Sequence, residues 1–330
     1  MLTKRQNFME TITGGNPDRY VNQWEAFGCI IANPVCDRTL DADGRMVDEW
    51  GVTFQVAGQQ GRMPMHDMEH RVIKDIDEWE DQLTTIPKGV WDVPSIWEPL
   101  QAQAEKIDTN EQMVTAVVFP GMFERLHDLA EITETLMALY DSPDEIHEIM
   151  KIITEVELEQ AEAICKYLHP EALLHHDDWG TAKSTFMKPE MFEEFFLDPY
   201  KEVYKYYHEH GVKVIAHHSD TYGVTLVPFM IEMGIDVWQG PLLRPNELPK
   251  LVDQYGGQIS FMGGLDSDAV DVPSWTPETI KAQVDDMFDY MGDRKKFFIP
   301  AMSQGLGVST FPGVYDEITK NIQAHNETDW

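Results

Sequence analysis

From Met113 onward, short apolar runs alternate with longer amphipathic stretches, and that alternation leaves few folds open to the chain. Val114 to Phe119 is a nearly continuous apolar run, as expected of a strand buried on both faces. Further strands are predicted at Ala172 to His175, Val212 to Ala216, Ile235 to Trp238, Ile259 to Met262 and Phe297 to Ile299. Helices are predicted at 142–168, 189–210, 222–233, 245–254, 277–291 and 312–325. The first opens Ser142-Pro143-Asp144-Glu145, with a capping serine, a proline at the first helical position and early acids. Strands separated by helices make parallel βαβ units. Their number suits a closed barrel better than an open doubly wound sheet. No GxGxxG or Walker sequence follows a strand, which removes the usual nucleotide reading.

The first third is more mixed. Residues 3–13 read as a helix stopped by Gly14-Gly15-Asn16-Pro17, and Tyr20 to Gly28 as a strand. Residues 46–57 read as paired strands with Gly51 near the bend, and Ile76 to Leu83 and Ile96 to Lys106 as helices. There is no Pro-, Gly- or Ser-rich linker and no repeat of fixed period. The expected fold is α/β: one (β/α)8 TIM-barrel domain over residues 1–330, with N-terminal helical and hairpin additions.

Charge narrows the partners. Asp and Glu number 58 against 25 for Lys and Arg, a formal charge of −33. Such a field repels nucleic acid and anionic lipid, which are bound through basic patches. It also disfavours a highly anionic small substrate. No stretch approaches the roughly 18 apolar residues that span a bilayer, and no apolar run near Met1 marks a signal peptide. The three cysteines form no CxxC, which favours a reducing compartment. A cytoplasmic protein with no nucleic-acid and no membrane partner is expected.

In a (β/α)8 barrel the active site lies at the C-terminal ends of the strands. Two such ends are rich in ionisable groups: His175-His176-Asp177-Asp178-Trp179 and His217-His218-Ser219-Asp220. Successive strand residues alternate faces, so only some of these side chains can face the mouth. Histidine with carboxylate suits general acid–base work or a divalent metal such as zinc. A single histidine here is more often a hydrogen-bonded framework residue, but two clusters on adjacent strands favour function. Glu25 is either a ligand or base at the mouth or a local cap. Trp24, Trp179, Tyr222 and Trp238 either wall a pocket for a flat substrate or pack the rim. Gln239, Asp266 and Gln304 complete the candidate rim.

Several short segments, in order and spacing, resemble the uroporphyrinogen decarboxylase superfamily. They are Asp48-Glu49-Trp50-Gly51-Val52, Asp177-Asp178-Trp179-Gly180, His218-Ser219-Asp220, Gly234-Ile235-Asp236-Val237-Trp238-Gln239, Gly263-Gly264-Leu265-Asp266 and Phe311-Pro312-Gly313-Val314-Tyr315. The resemblance implies a (β/α)8 barrel. The decarboxylases themselves hold an octa-anionic tetrapyrrole with an arginine-rich N-terminal segment, whereas Asn22 to Gly28 here contains an acid and no arginine. The corrinoid-dependent methyltransferase branch fits better. Its thiol-acting members are zinc enzymes with His-x-Cys and a later cysteine. This chain has His218-Ser219-Asp220 and Pro300-Ala301-Met302-Ser303-Gln304, with neither cysteine.

What remains is similar to the first methyltransferase of anaerobic O-demethylase systems, of the veratrol or vanillate type. That likeness implies transfer of methyl from a methoxy-aromatic to cob(I)alamin on a partner corrinoid protein, giving methylcobalamin. By this reading His218, Asp220, Asp178 and His176 are catalytic, with His218 and Asp220 as candidate zinc ligands. Glu25, Trp24, Trp179, Tyr222, Trp238, Gln239, Asp266 and Gln304 are the candidate substrate contacts. The alternatives are a corrinoid methyltransferase with a non-ether donor, a decarboxylase-type lyase, or a barrel that only binds a corrinoid or aromatic ligand.

Overall fold

The computed structural model describes residues 1–36, 39–56 and 62–328. Its main sheet contains β1 (Phe27–Ile31), β5 (Met113–Val118), β6 (Ala172–His176), β7 (Val214–His218), β8 (Val237–Gln239), β9 (Ser260–Leu265) and β10 (Phe298–Met302), in that order. Every neighbouring pair is parallel. The sheet curls around an inner cluster of Phe8, Trp24, Phe27, Val117, Leu174, Ala216, Val237, Met262 and Ile299. Its other face packs under the helices in the larger core. A separate antiparallel sheet holds β2 (Arg45–Val47), β3 (Thr53–Val56) and β4 (Arg62–Pro64). Ala57, the last residue expected in the paired strands, lies outside the described residues.

The sheet has seven strands among the described residues, where the expected barrel has eight. Between its edges, the Gln23 N–H donates to Pro300 O at 3.2 Å. Tyr20 to Ala26, expected to be strand, is instead mostly turn. Gln23 takes φ 51°, and the N–H groups of Glu25 and Phe27 bond back to Asn22 O and Trp24 O. β7 and β10 run on beyond the predicted Ala216 and Ile299. Parallel pairing carries β7 through the polar His217 and His218, and β10 through Pro300, Ala301 and Met302.

The helix predicted at 277–291 forms as Pro277–Met291, with Thr276 and Thr279 as a reciprocal cap. The helix predicted at 189–210 is continuous but passes through a π-helical stretch at Glu193–Leu197. Two helices that the sequence reading passed over, Met122–Ala130 and Ile132–Asp141, follow β5. Among the described residues, no helix is long and apolar enough to cross a membrane.

Candidate active site

His176 and His218 end adjacent strands and are partners in the parallel register of β6 and β7. Alternation along the strands turns the two preceding histidines the other way. His175 Nε2 meets Glu157 Oε2 at 3.1 Å, and His217 Nδ1 meets the Tyr204 hydroxyl at 2.7 Å. Both partners lie on the covering helices. On the opposite face the imidazoles of His176 and His218 stack, with centroids 4.3 Å apart and planes inclined by 24°.

The next contact comes from the helix Met122–Ala130. His176 Nδ1 lies 3.0 Å from Glu124 Oε2. Asp177 fixes that helix, accepting the N–H groups of Phe123 and Glu124 at 2.8 Å each and the Tyr200 hydroxyl. A carboxylate at these free amides also complements the positive end of the helix. The approach is close: a Cβ on Gly121 would stand 2.4 Å from Asp177 Cβ. Gly121→Ala is therefore expected to cost about 1–3 kcal/mol, read as a lower denaturant midpoint. An unchanged midpoint would mean that the clamp yields freely.

Charge is unevenly shared among these groups. Burial opposes a cation on His176, but Glu124 more than compensates and its pKa rises to about 10. Burial, reinforced by His176, lowers His218 to about 3, so that ring is neutral. Burial raises Asp178 to about 7, against the attraction of His176 and with the help of Glu124. Burial raises Asp220 to about 6, again opposed by His176 and assisted by Asp268. One cationic ring, one neutral ring and two acids whose pKa values are lifted toward neutrality thus share one strand end.

His176, Asp178 and His218 each offer a ligand atom, all within 4.8 Å of one another. Once His176 has given up its proton, two imidazoles and one carboxylate match a catalytic zinc set with a position left for substrate. Glu124 and Gln239 hold the remaining ring nitrogens, as outer partners of metal-binding histidines do. This corrects the expected His218–Asp220 pair. Asp220 instead donates its backbone N–H to Asp178 Oδ1 at 3.0 Å, while its carboxyl lies outside the triad.

The remaining candidates divide. Glu25 is a local cap, accepting the Asn22 N–H at 3.0 Å and facing Arg19 at 3.8 Å. Trp179 lies in the helix layer, stacked 3.9 Å from His217. Trp238 is buried and donates its indole N–H to Ser219 O at 2.8 Å. Strand alternation explains Trp238, the register partner of His217, whereas Trp179 lies past the end of β6. Trp24 packs in the inner cluster against Phe27, close beneath Gly307. Tyr222 is half-buried, with its N–H on Thr181 O. Asp266 is exposed and caps Asp268 N–H. Gln304 is joined to Ser267 through its backbone N–H, and Gln239 is fully buried. Glu124 is the residue that sequence reasoning missed. The signal was the apolar spacing of Met122, Phe123, Leu126, Leu129 and Ala130, which marks a helix just after β5.

One turn further along that helix, burial lowers His127 to about 4. An unfolded histidine titrates near 6.5. The folded value is depressed, so this contribution is full above about 6.5 and is lost as pH falls through about 4. His127→Phe should flatten the fall in unfolding free energy over that window. An unchanged slope would place the acid sensitivity elsewhere.

Residues 51–324 match the family described as uroporphyrinogen decarboxylase. The chain belongs to that family. No curated protein matches it. The uroporphyrinogen decarboxylase-family chain is similar in structure to a methyltransferase from Methanosarcina mazei, with a TM-score of 0.66, 14% identity and 99% of each chain covered. At that identity the likeness speaks for the fold. A Listeria monocytogenes structure described as a candidate vitamin-B12-independent methionine synthase shares 14% identity over 71% of this chain and 69% of its own. Its TM-score of 0.39 is too low to bear on function.

Proposed function

We propose that this chain is a methyltransferase that takes methyl from an aryl methyl ether and delivers it to cob(I)alamin on a partner corrinoid protein. The observation that carries the reading is the compact set of His176, Glu124, Asp178, His218 and Asp220, built for charge at a leaving oxygen rather than for a polyanion. The nearby Arg125 is committed to Asp48 and Glu49, and Asn22 to Gly28 has no arginine. With Arg125 committed and no arginine in that segment, neither offers counter-charge to eight carboxylates, which disfavours tetrapyrrole decarboxylation. The fold shared along the whole length with a methyltransferase is compatible with this choice.

The partner's cob(I)alamin is a second substrate, supplying the electron pair that forms the new bond to the methyl carbon. The ether C–O bond breaks, its pair stays on the phenol oxygen, and that oxygen takes a proton. A phenol releases its proton only near pH 10, so unassisted phenolate is a poor leaving group. Asp220, raised to about 6, carries a proton below that pH and is the donor in this scheme, with Asp178, raised to about 7, beside it. Zinc, if bound by His176, Asp178 and His218, would supply Lewis acidity at the same oxygen. Trp24 and Tyr222 are the remaining aromatic candidates for walls of the substrate site. The eight-stranded barrel, the single domain over residues 1–330 and the cytoplasmic location belong to this same reading.

The test is an anaerobic assay with cob(I)alamin, a compatible corrinoid protein and a panel of methoxy-aromatics, following methylcobalamin by absorbance. Phenol release with methylcobalamin is the expected result. No transfer from any donor would overturn the ether reading. Dialysis against a strong chelator is expected to suppress transfer, and added zinc to restore it. Full turnover by demonstrably metal-free protein would remove zinc and leave the proton donor.

A further inference from the structure

Gln239 ends β8 as the register partner of His218, and its side chain is fully buried. Its amide Nε2 lies 3.3 Å from Met302 O, 3.2 Å from Ser303 O and 3.3 Å from Gln304 O. Carbonyl oxygens only accept, so the NH2 group must be the side of the amide that faces them. The amide oxygen is thereby left facing His218 Nδ1. An amide oxygen also only accepts, so His218 Nδ1 must carry hydrogen. In a neutral imidazole the second nitrogen, Nε2, then keeps its lone pair.

We propose that Gln239 is a positioning residue that locks His218 in its Nδ1–H form and so presents the Nε2 lone pair to the site. The surroundings hold the ring as well as its hydrogen. His176 stacks on it at 4.3 Å, and a Cβ on Gly305 would come within 3.1 Å of His218 Nδ1. The backbone that accepts from Gln239 therefore also covers the ring Gln239 orients. This corrects the expectation that Gln239 touches substrate, since both ends of its amide are already engaged inside the protein. The chemical use of the lone pair, as a ligand to metal or an acceptor at the reacting group, rests on the proposed methyl transfer. The hydrogen placement does not.

The experiment is 15N-resolved NMR of the histidine side chains in the intact metal-free protein, with His218 assigned by its loss in His218→Ala. The expected spectrum shows a protonated Nδ1 and an unprotonated Nε2 for His218 at neutral pH. A protonated Nε2 in the wild-type protein would overturn the proposal without any further variant. In Gln239→Met, similar in size but without the amide, the Nε2–H form should appear. Transfer should fall on the order of 10- to 100-fold, mainly in kcat. A variant spectrum identical to wild type would also overturn the proposal. Failure of methyl transfer itself would leave the spectra readable, so the two ideas fail separately.

Discussion

Replacing His218 by alanine is expected to lower methyl transfer by at least about 10²-fold while the protein remains folded. The ring is 2% exposed, and its two nitrogens have separate tasks. Nδ1–H is spent on Gln239, so Nε2 is what the site receives. Alanine removes that nitrogen from the His176, Asp178 and His218 set, and takes away the stacking partner of His176. It also leaves the Gln239 oxygen without its buried donor, at a cost of about 1–3 kcal/mol. Turnover is therefore compared well below the variant's unfolding temperature, with circular dichroism as the check on folding. Near-normal turnover in folded protein would remove His218 from the mechanism, and with it the three-residue metal set. A large loss with an unchanged KM would place its role after substrate binding.

The parts of this arrangement that were readable in the sequence are those written in local pattern. The run from Val114 announces a buried strand because the side chains of Met113–Val118 are all covered, though Phe119 at its end is exposed, and Ser142-Pro143 announces a helix start because a missing N–H costs nothing there. The paired histidines also stood out, and alternation implied that only some of the side chains would face the mouth, as His175 and His217 turn to the helices. Which ones was not readable. That depends on register, and the register is set by pairing β6 with β7 across 42 residues of sequence, from His176 to His218. The face of Trp238, left open between pocket wall and packing, depended on the same register. Glu25, left open between the mouth and a local cap, is the cap because the chain before β1 turns instead of extending, through a positive φ at Gln23 that no glycine announces. Glu124 escaped because its partner is 52 positions away, and no local pattern relates a helix carboxylate to a histidine on the next strand.

The resemblance segment Asp48-Glu49-Trp50-Gly51 gains a physical role from the fold, and removing its partner should have the largest effect on stability. Arg125→Ala is expected to destabilise the protein by roughly 3–5 kcal/mol. The guanidinium is 6% exposed, with Nη1 at 2.5 Å from Asp48 Oδ2 and Nη2 at 3.7 Å from Glu49 Oε1. It also lies 5.4 Å over the Trp50 ring. Asp48 Oδ1 meanwhile accepts the N–H groups of Trp50 and Val52, each at 2.9 Å, so one carboxylate closes the turn and grips the arginine. Deleting the arginine strands two buried carboxylates that water cannot reach, which is why breaking such a pair costs more than making it gains. The helix that carries Arg125 also carries Glu124, so the loss should reach His176 and depress transfer even in the folded fraction. Denaturant unfolding of Arg125→Ala, Asp48→Ala and the double variant separates the terms. The double variant should be more stable than the sum of the single losses predicts. Additive losses, or a loss below about 1 kcal/mol as for an exposed pair, would show that the clamp is solvated and that the segment serves something other than holding this helix to the sheet.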